Sequence, residues 1–340
     1  MSVDCSERIA DVLEGALAPA AQGLSRLREQ GLDRLPLPGE GATLARWRAL
    51  AAVSRFDLSL AKLYEGHTDA LAILEEIDQD GLDIPQGAWC VWAAESPGGR
   101  AIIAPDGGSH VRLSGAKHWC SGALTGDHAL LTAWEADSGL PQLVAVDLKQ
   151  PGMVIDSSRW QAVGMAASQS VNVAFDGVAG RRVGRPGEYL SRPGFWHGGA
   201  GIAACWYGGA AGIAMALRRV LGGAQNHEGN AFRLAALGKT ELALQETAAT
   251  LRQAAAWIDE HPLRDASRVA LTARLSAERC AKLVIDEVGK AMGAAPFCLD
   301  AEFAQAVADL PVFIRQSHAE RDFAALGERS LQQEDPAWTL

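Results

Sequence analysis

Apolar residues recur at three- and four-residue intervals from Cys5 to about Asp80, as in the series Leu60, Leu63, Tyr64, Leu71, Leu74 and Ile77. That spacing predicts amphipathic helices, the last of them capped by Asp57 and stopped by Gly81. From Ala88 to about Val178 the period shortens. The runs "VRLSG", "ALLTAW", "QLVAVDL", "MVID" and "VNVAF" are brief, alternating or β-branched, and clusters of Gly, Pro, Asp and Ser set them apart. They predict short strands of a small sandwich or barrel. After Gly194 the helical spacing returns, with Leu237, Leu244, Leu251 and Ile258 seven apart as in a long bundle helix. Pro262 ends that helix, a second is predicted over Ser267 to Met292 with Gly293 and Pro296 beyond it, and a last one over Asp300 to Glu328.

The order helices, strands, helices predicts an α+β multidomain fold: a helical domain over 1–87, a β-barrel or sandwich over 88–185, and a four-helix bundle over 186–340. At 340 residues the chain exceeds what one core serves. The twenty uncharged residues from Gly198 to Leu217 match a bilayer in length, but they are rich in Gly and Ala. They read instead as a buried bundle helix, and Ala200, Ala204, Gly208 and Gly212, four apart, are small enough to let a second helix backbone come close.

Charge narrows the partners. A net charge of −10 with no basic stripe excludes a nucleic-acid binder. Six cysteines without a C-x-x-C pair, and no signal-peptide pattern, predict reduced thiols in a cytoplasm. The eight histidines lack ligand spacing, so no metal site is predicted. Neither a P-loop nor a Rossmann fingerprint is present.

The chemistry concentrates in Gly115 to Ala123, "GAKHWCSGA", where a large indole follows a strand-like run between glycines. "LSGAKHWCSGA", then "PGM" followed by "RWQAVGMAASQSVNVAFDGV", and "RD" near the end resemble the acyl-CoA dehydrogenase superfamily over most of the chain, which is identified as a divergent member. The resemblance implies FAD held between barrel and bundle, and a homodimer or homotetramer. It implies that Trp119 lies against the flavin ring, that Ser121 supplies a hydroxyl donor, and that Cys120 contributes backbone contacts. An aromatic slab with a few placed donors suits a ring that gains charge on reduction. "CVWAAESPGG" resembles the family's next strand and loop, placing Ala93 and Ala94 against the pyrimidine edge and Ser96 nearby. Its usual Thr is replaced by Ala94 and its G-S-D is absent, which puts coenzyme A contacts in doubt.

The resemblance fails at several positions. Glu228 stands where the family carries an Arg for the FAD pyrophosphate, and a carboxylate repels a diphosphate. "KAMGAAP" occupies the place of the nucleotide-binding turn, giving Lys290 and Gly293, and Lys290, Arg233 or Lys239 could restore the positive charge. Acyl-CoA dehydrogenation needs a carboxylate base. Glu328 is the only acid shortly after Arg321 and Asp322, and no acid stands near Ile202, the alternative position, although His197 precedes it. The long interval from Gly293 to Asp322 resembles flavin monooxygenases of this fold, in which a histidine assists; His318 takes that place. His67, in "KLYEGHTDA", is either substrate-facing or a satisfied interior histidine.

Three readings follow. The first is an FAD-dependent oxidoreductase taking a hydride and a proton from an acyl-CoA-like substrate and passing electrons to an acceptor. The second is a monooxygenase on the same scaffold, supplied with reduced flavin by a reductase. The third is a degenerate member without catalysis.

Overall fold

The computed structural model describes residues 5–14, 19–77, 85–223, 229–332 and 338; Gly81 and Glu228 lie outside them. Four helices open the chain: α1 (Cys5–Leu13), α2 (Ala20–Glu29), α3 (Thr43–Phe56) and α4 (Leu58–Ile77). Asp57 both ends α3 and caps α4, accepting the Leu60 amide at 2.6 Å.

Seven strands follow: β1 (Trp89–Trp92), β2 (Ala101–Pro105), β3 (His110–Cys120), β4 (His128–Glu135), β5 (Pro141–Asp147), β6 (Met153–Asp156) and β7 (Val171–Val183). They pair in the order β1-β4-β2-β3-β7-β5, with β6 alongside β7, and an additional β4–β5 pairing closes the sheet on itself. Closure leaves few open edges. In β2 and β3 buried and exposed residues alternate, whereas β4 and β5 are buried on both faces. The reason is a second layer. Ala129, Leu131, Ala133 and Val144 fill the barrel, while Leu130, Leu143 and Ala145 pack outward on Ala70, Ile73, Leu74 and Ile77 of α4.

After the barrel come α5 (Glu188–Ser191), α6 (Gly194–Gly222), α7 (Ala231–Glu260), α8 (Ser267–Met292), α9 (Ala295–Leu299), α10 (Ala301–Phe313) and α11 (Glu320–Leu331). The apolar stretch in α6 is a core helix, with 78% of its most apolar window buried. The small-residue stripe does what the spacing predicts: a methyl group at Gly208 would overlap the Ala51 carbonyl, so α3 and α6 cross backbone to backbone. Residues of α1–α4, of α6–α8 and of α10 belong to one hydrophobic core, around Trp47, Tyr64 and Trp206.

The expected single helix over Asp300 to Glu328 is two helices. Asp300 caps α10 through the Phe303 amide at 3.0 Å. A tight turn at Ile314–Gln316, an extended Ser317 and a left-handed Ala319 (φ 48°) then separate α10 from α11. The Asp322 carboxylate accepts the His318 amide at 3.0 Å and the Ser317 hydroxyl at 3.4 Å, local bonds that compete with helical pairing.

Candidate functional site

The indole that the sequence singled out stands outside the barrel. Between Lys117 and Cys120 the pairing of β3 with β7 slips by one residue, and Trp119 takes φ 62°. A bulge with a left-handed residue re-aims side chains, and for a tryptophan that backbone costs on the order of 1–3 kcal/mol. Lys117 is therefore 0% exposed, with its Nζ 2.7 Å from both Glu95 Oε1 and Thr132 Oγ1. Cys120 returns to the barrel core, and Trp119 is left 59% exposed. Trp160 meets it edge to face at 6.5 Å.

Beside the indole runs a ladder of hydroxyls. Ser121 Oγ lies 2.7 Å from Ser170 Oγ, which lies 3.0 Å from Ser168 Oγ. The Ser121 carbonyl accepts the Trp92 indole N–H at 3.0 Å. Ser96 Oγ and His118 Nδ1 are 2.9 Å apart, which ties the loop after β1, with half-buried Ala93 and exposed Ala94, to β3 one residue before Trp119. Met165 and Gln169, at φ 60° and 44°, flank the turn that supports the ladder. Its Met165 amide donates to Asp309 of α10, tying barrel to bundle. Trp119, Met165, Gln169 and Ala319 are the non-glycine residues at positive φ among those described. Three border this wall, and the fourth adjoins His318; strain of this kind gathers at functional sites.

A cavity of about 210 Å³ opens behind the wall, lined among others by Ser121 and Gly122, Val91 of β1, and Lys62, Leu63 and Gly66 of α4. Lys62 also belongs to a cluster of charged groups packed between α3, α4 and the start of α6. On α4, Lys62, Glu65 and Asp69 share one face, and Lys62 Nζ lies 2.8 Å from Glu65 Oε2. Arg46 of α3, 4% exposed, donates to the Pro36 carbonyl at 3.3 Å. Arg192, just past α5, pairs with Glu76. Burial lowers the Arg46 guanidinium and pushes the Cys205 thiol of α6 up to about 12. Burial also works against the Lys62 charge, but Glu65 outweighs it and holds the ammonium above its usual value.

Arg274 of α8 ties the start of α6 to the last turn. Its Nη1 donates to the Gly199 carbonyl at 3.0 Å and its Nη2 to that of Gln316 at 2.8 Å. The turn holding His318 is thereby anchored at the start of α6. The His318 ring is 64% exposed, with Nδ1 3.4 Å from Asp322 Oδ1. His197 is sealed at 2% exposure, its Nε2 without a partner among the described residues, and burial lowers its proton affinity.

Other expected residues lie apart. Glu328 is exposed on α11, and no hydrogen bond or ion pair engages its side chain among the described residues. Lys290 is exposed and paired with Asp286 at 2.5 Å, and Gly293 (φ 70°) ends α8. Arg233 Nε donates to the Ala291 carbonyl at 3.1 Å, which brings a guanidinium to that same helix end. Lys239 pairs with Glu287 at 2.9 Å. No bond among the described residues links Lys290 or Gly293 to the Trp119 wall. His67 is 1% exposed and structural: its Nδ1 accepts the Trp89 amide at 3.1 Å and its Nε2 faces Asp33 Oδ2 at 3.0 Å. Arg46, Asp69, Arg192 and Arg274 escaped sequence reading. The legible signal was the spacing of Lys62, Glu65 and Asp69, charges at helical intervals on an otherwise buried helix.

No protein-family model and no curated protein matches the chain in sequence. Solved structures match its fold. TdsC from Paenibacillus sp. A11-2, a dibenzothiophene monooxygenase, was solved with FMN and indole; it has a TM-score of 0.82 at 19% identity, over 98% of this chain and 97% of that one. KijD3, solved with FMN and a dTDP-linked amino keto sugar, gives 0.77 at 18% identity, over 99% and 96%. Methanesulfinate monooxygenase MsuC from Pseudomonas fluorescens gives 0.73 at 17% identity, over 99% and 98%. At such identities the likeness is one of fold, the acyl-CoA dehydrogenase fold that the motifs implied.

Proposed function

We propose that this protein is a flavin-dependent monooxygenase acting on a small molecule, with reduced flavin supplied by a separate reductase. The observation that carries this reading over acyl-CoA dehydrogenation is the place of Glu328: the carboxylate base that the dehydrogenase reading needs is exposed on α11, with no hydrogen bond or ion pair to the Trp119 wall or to α4 among the described residues. Two of the fold neighbours described above are named as monooxygenases, and two were solved with FMN.

The residues fit a flavin. Trp119 offers an exposed aromatic face beside hydroxyls at Ser121 and Ser170, and Ala93 and Ala94 offer backbone on the adjoining loop. When bound and reduced, the flavin supplies the electrons with which dioxygen is activated for transfer of one oxygen atom to substrate. Trp119 and Trp160 exclude water from the ring face. Ser121 and Ser170 hold its polar edge. His318, with Nδ1 turned to Asp322, keeps Nε2 for proton exchange. Arg233, Lys290 and the Gly293 turn provide positive charge and backbone for a phosphate, of FMN or of FAD.

The test begins with reconstitution with FMN and with FAD, followed by anaerobic mixing with a panel of acyl-CoAs. Bleaching by any acyl-CoA would replace this reading with the dehydrogenase one. The expected result is no bleaching, together with oxygen uptake once a flavin reductase and NADH are added. Protein that retains neither flavin would support a member without catalysis.

A further inference from the structure

The cavity behind Ser121 is lined by a guanidinium that nothing engages. It lies between α2, α4, β1 and the turn joining β3 to β4, and half-buried Arg28 of α2 belongs to its wall. No hydrogen bond or ion pair engages the Arg28 side chain among the described residues. Lys62 of α4, in the same wall, uses one of its three donors on Glu65 at 2.8 Å. The wall also carries an acid, Asp127, but both of its oxygens are occupied: Oδ1 by Lys149 Nζ at 2.5 Å and Oδ2 by the Ala88 amide at 2.7 Å. What the polar part of the lining still offers is donors on cations.

Much of the remaining wall is apolar. Leu24, Leu63, Trp89 and Val91 supply it, and Gly66 leaves space between α4 and β1: a methyl group there would have the Val91 nitrogen, at 3.8 Å, as its nearest neighbour. A concave, largely apolar wall with a few placed polar groups is how small-molecule sites are built. At about 210 Å³ the cavity admits more than a single water or a bare ion.

We propose that this cavity binds a small organic acid, its carboxylate received by Arg28 with Lys62 adding positive charge, and its hydrocarbon part set against Trp89 and Leu63. The guanidinium fork matches a carboxylate with two parallel bonds, and the ammonium acts as a point charge beside it. Ser121 belongs both to this wall and to the hydroxyl ladder, so the ligand lies next to the Trp119 wall. The assignment adds a ligand to the chain and needs nothing from the flavin reading.

Calorimetric titration of the full chain with benzoate and with benzamide at pH 7 isolates the charge, since the two share a ring and differ in the head group. Benzoate is expected to bind at least tenfold more tightly. Arg28→Gln is expected to abolish that preference and to leave benzamide unchanged, and Gly66→Leu, which fills the space facing Val91 and removes no charge, to weaken benzoate at least tenfold. Equal binding of the two probes, no binding of benzoate at millimolar concentration, or a preference that survives Arg28→Gln would overturn the proposal. Unchanged benzoate affinity in Gly66→Leu would do the same, as would displacement of benzoate by inorganic phosphate at equal concentration. Circular dichroism checks the fold of each variant, and if either fails to fold the other decides together with the wild-type comparison. The titration reads no flavin signal, so failure of the oxygenase reading leaves this site standing, and failure here leaves that reading untouched.

Discussion

The indoles of Trp119 and Trp160 meet at 82° with their centroids 6.5 Å apart, so one ring braces the other while leaving a face open. The Trp119 ring is held by its backbone and by this contact, not by burial. Trp119→Ala is therefore expected to leave thermal stability nearly unchanged, as at most exposed positions. Flavin binding is expected to weaken by tenfold or more, about 1.4 kcal/mol. Fluorescence titration with FMN and FAD measures it.

His67 bridges α4, β1 and Asp33, and its loss would leave the Trp89 amide unmet and the buried Asp33 carboxylate with Arg34, at 3.9 Å, as its remaining charge partner. His67→Phe is expected to cost about 2–4 kcal/mol in urea unfolding at pH 7. Burial pushes the Asp33 carboxyl up, but the His67 bond, its own backbone amide and nearby positive charge outweigh burial and hold it below the usual value. A carboxyl held low favours the folded state above its unfolded value, about 3.9. That contribution fades as pH falls through the folded value. The gap between wild type and variant is expected to narrow below about pH 4.

Two glycines on long helices are expected to respond oppositely to alanine. At Gly208 the added methyl would overlap the Ala51 carbonyl, and forcing α3 from α6 is expected to cost about 3 kcal/mol or more. At Gly238, exposed on α7, the methyl meets nothing within 4 Å, and helix propensity predicts a gain of about 1 kcal/mol. Thermal melts of the two variants provide the comparison.

His318→Ala removes an exposed ring whose backbone amide still donates to Asp322. Its stability and flavin affinity are expected to match wild type, while oxygen transfer to substrate falls by tenfold or more. Arg274→Met, which frees the Gly199 and Gln316 carbonyls, is expected to speed hydrogen exchange around residues 314–319 as well as to lower that activity. Deuterium uptake by mass spectrometry separates the two effects.

The sequence was most readable where one period and one stop signal agree. Ser267 to Met292 emerges with those bounds as α8, because apolar spacing and Gly293 point the same way. The region 300–328 misled because its apolar spacing continues through a break made by polar side chains: nothing in the period announces that Asp322 will turn back to the Ser317 and His318 donors. The Trp119 wall was legible through a resemblance; its cause, a bulge with left-handed backbone, depends on pairing with β7 and is invisible to local pattern. The buried charge cluster was hidden for the same reason: the helical spacing of Lys62, Glu65 and Asp69 does not announce that Arg46 and Arg192 pack near them.

The shared core of the helical segments also governs how the chain can come apart. Since Trp47 of α3 and Trp206 of α6 belong to one apolar cluster, neither end of the polypeptide has an interior of its own to retreat into. Fragments cut on either side of the barrel should collapse only when mixed, and the β segment, inserted between them with a separate sealed interior, is the piece a protein engineer could exchange.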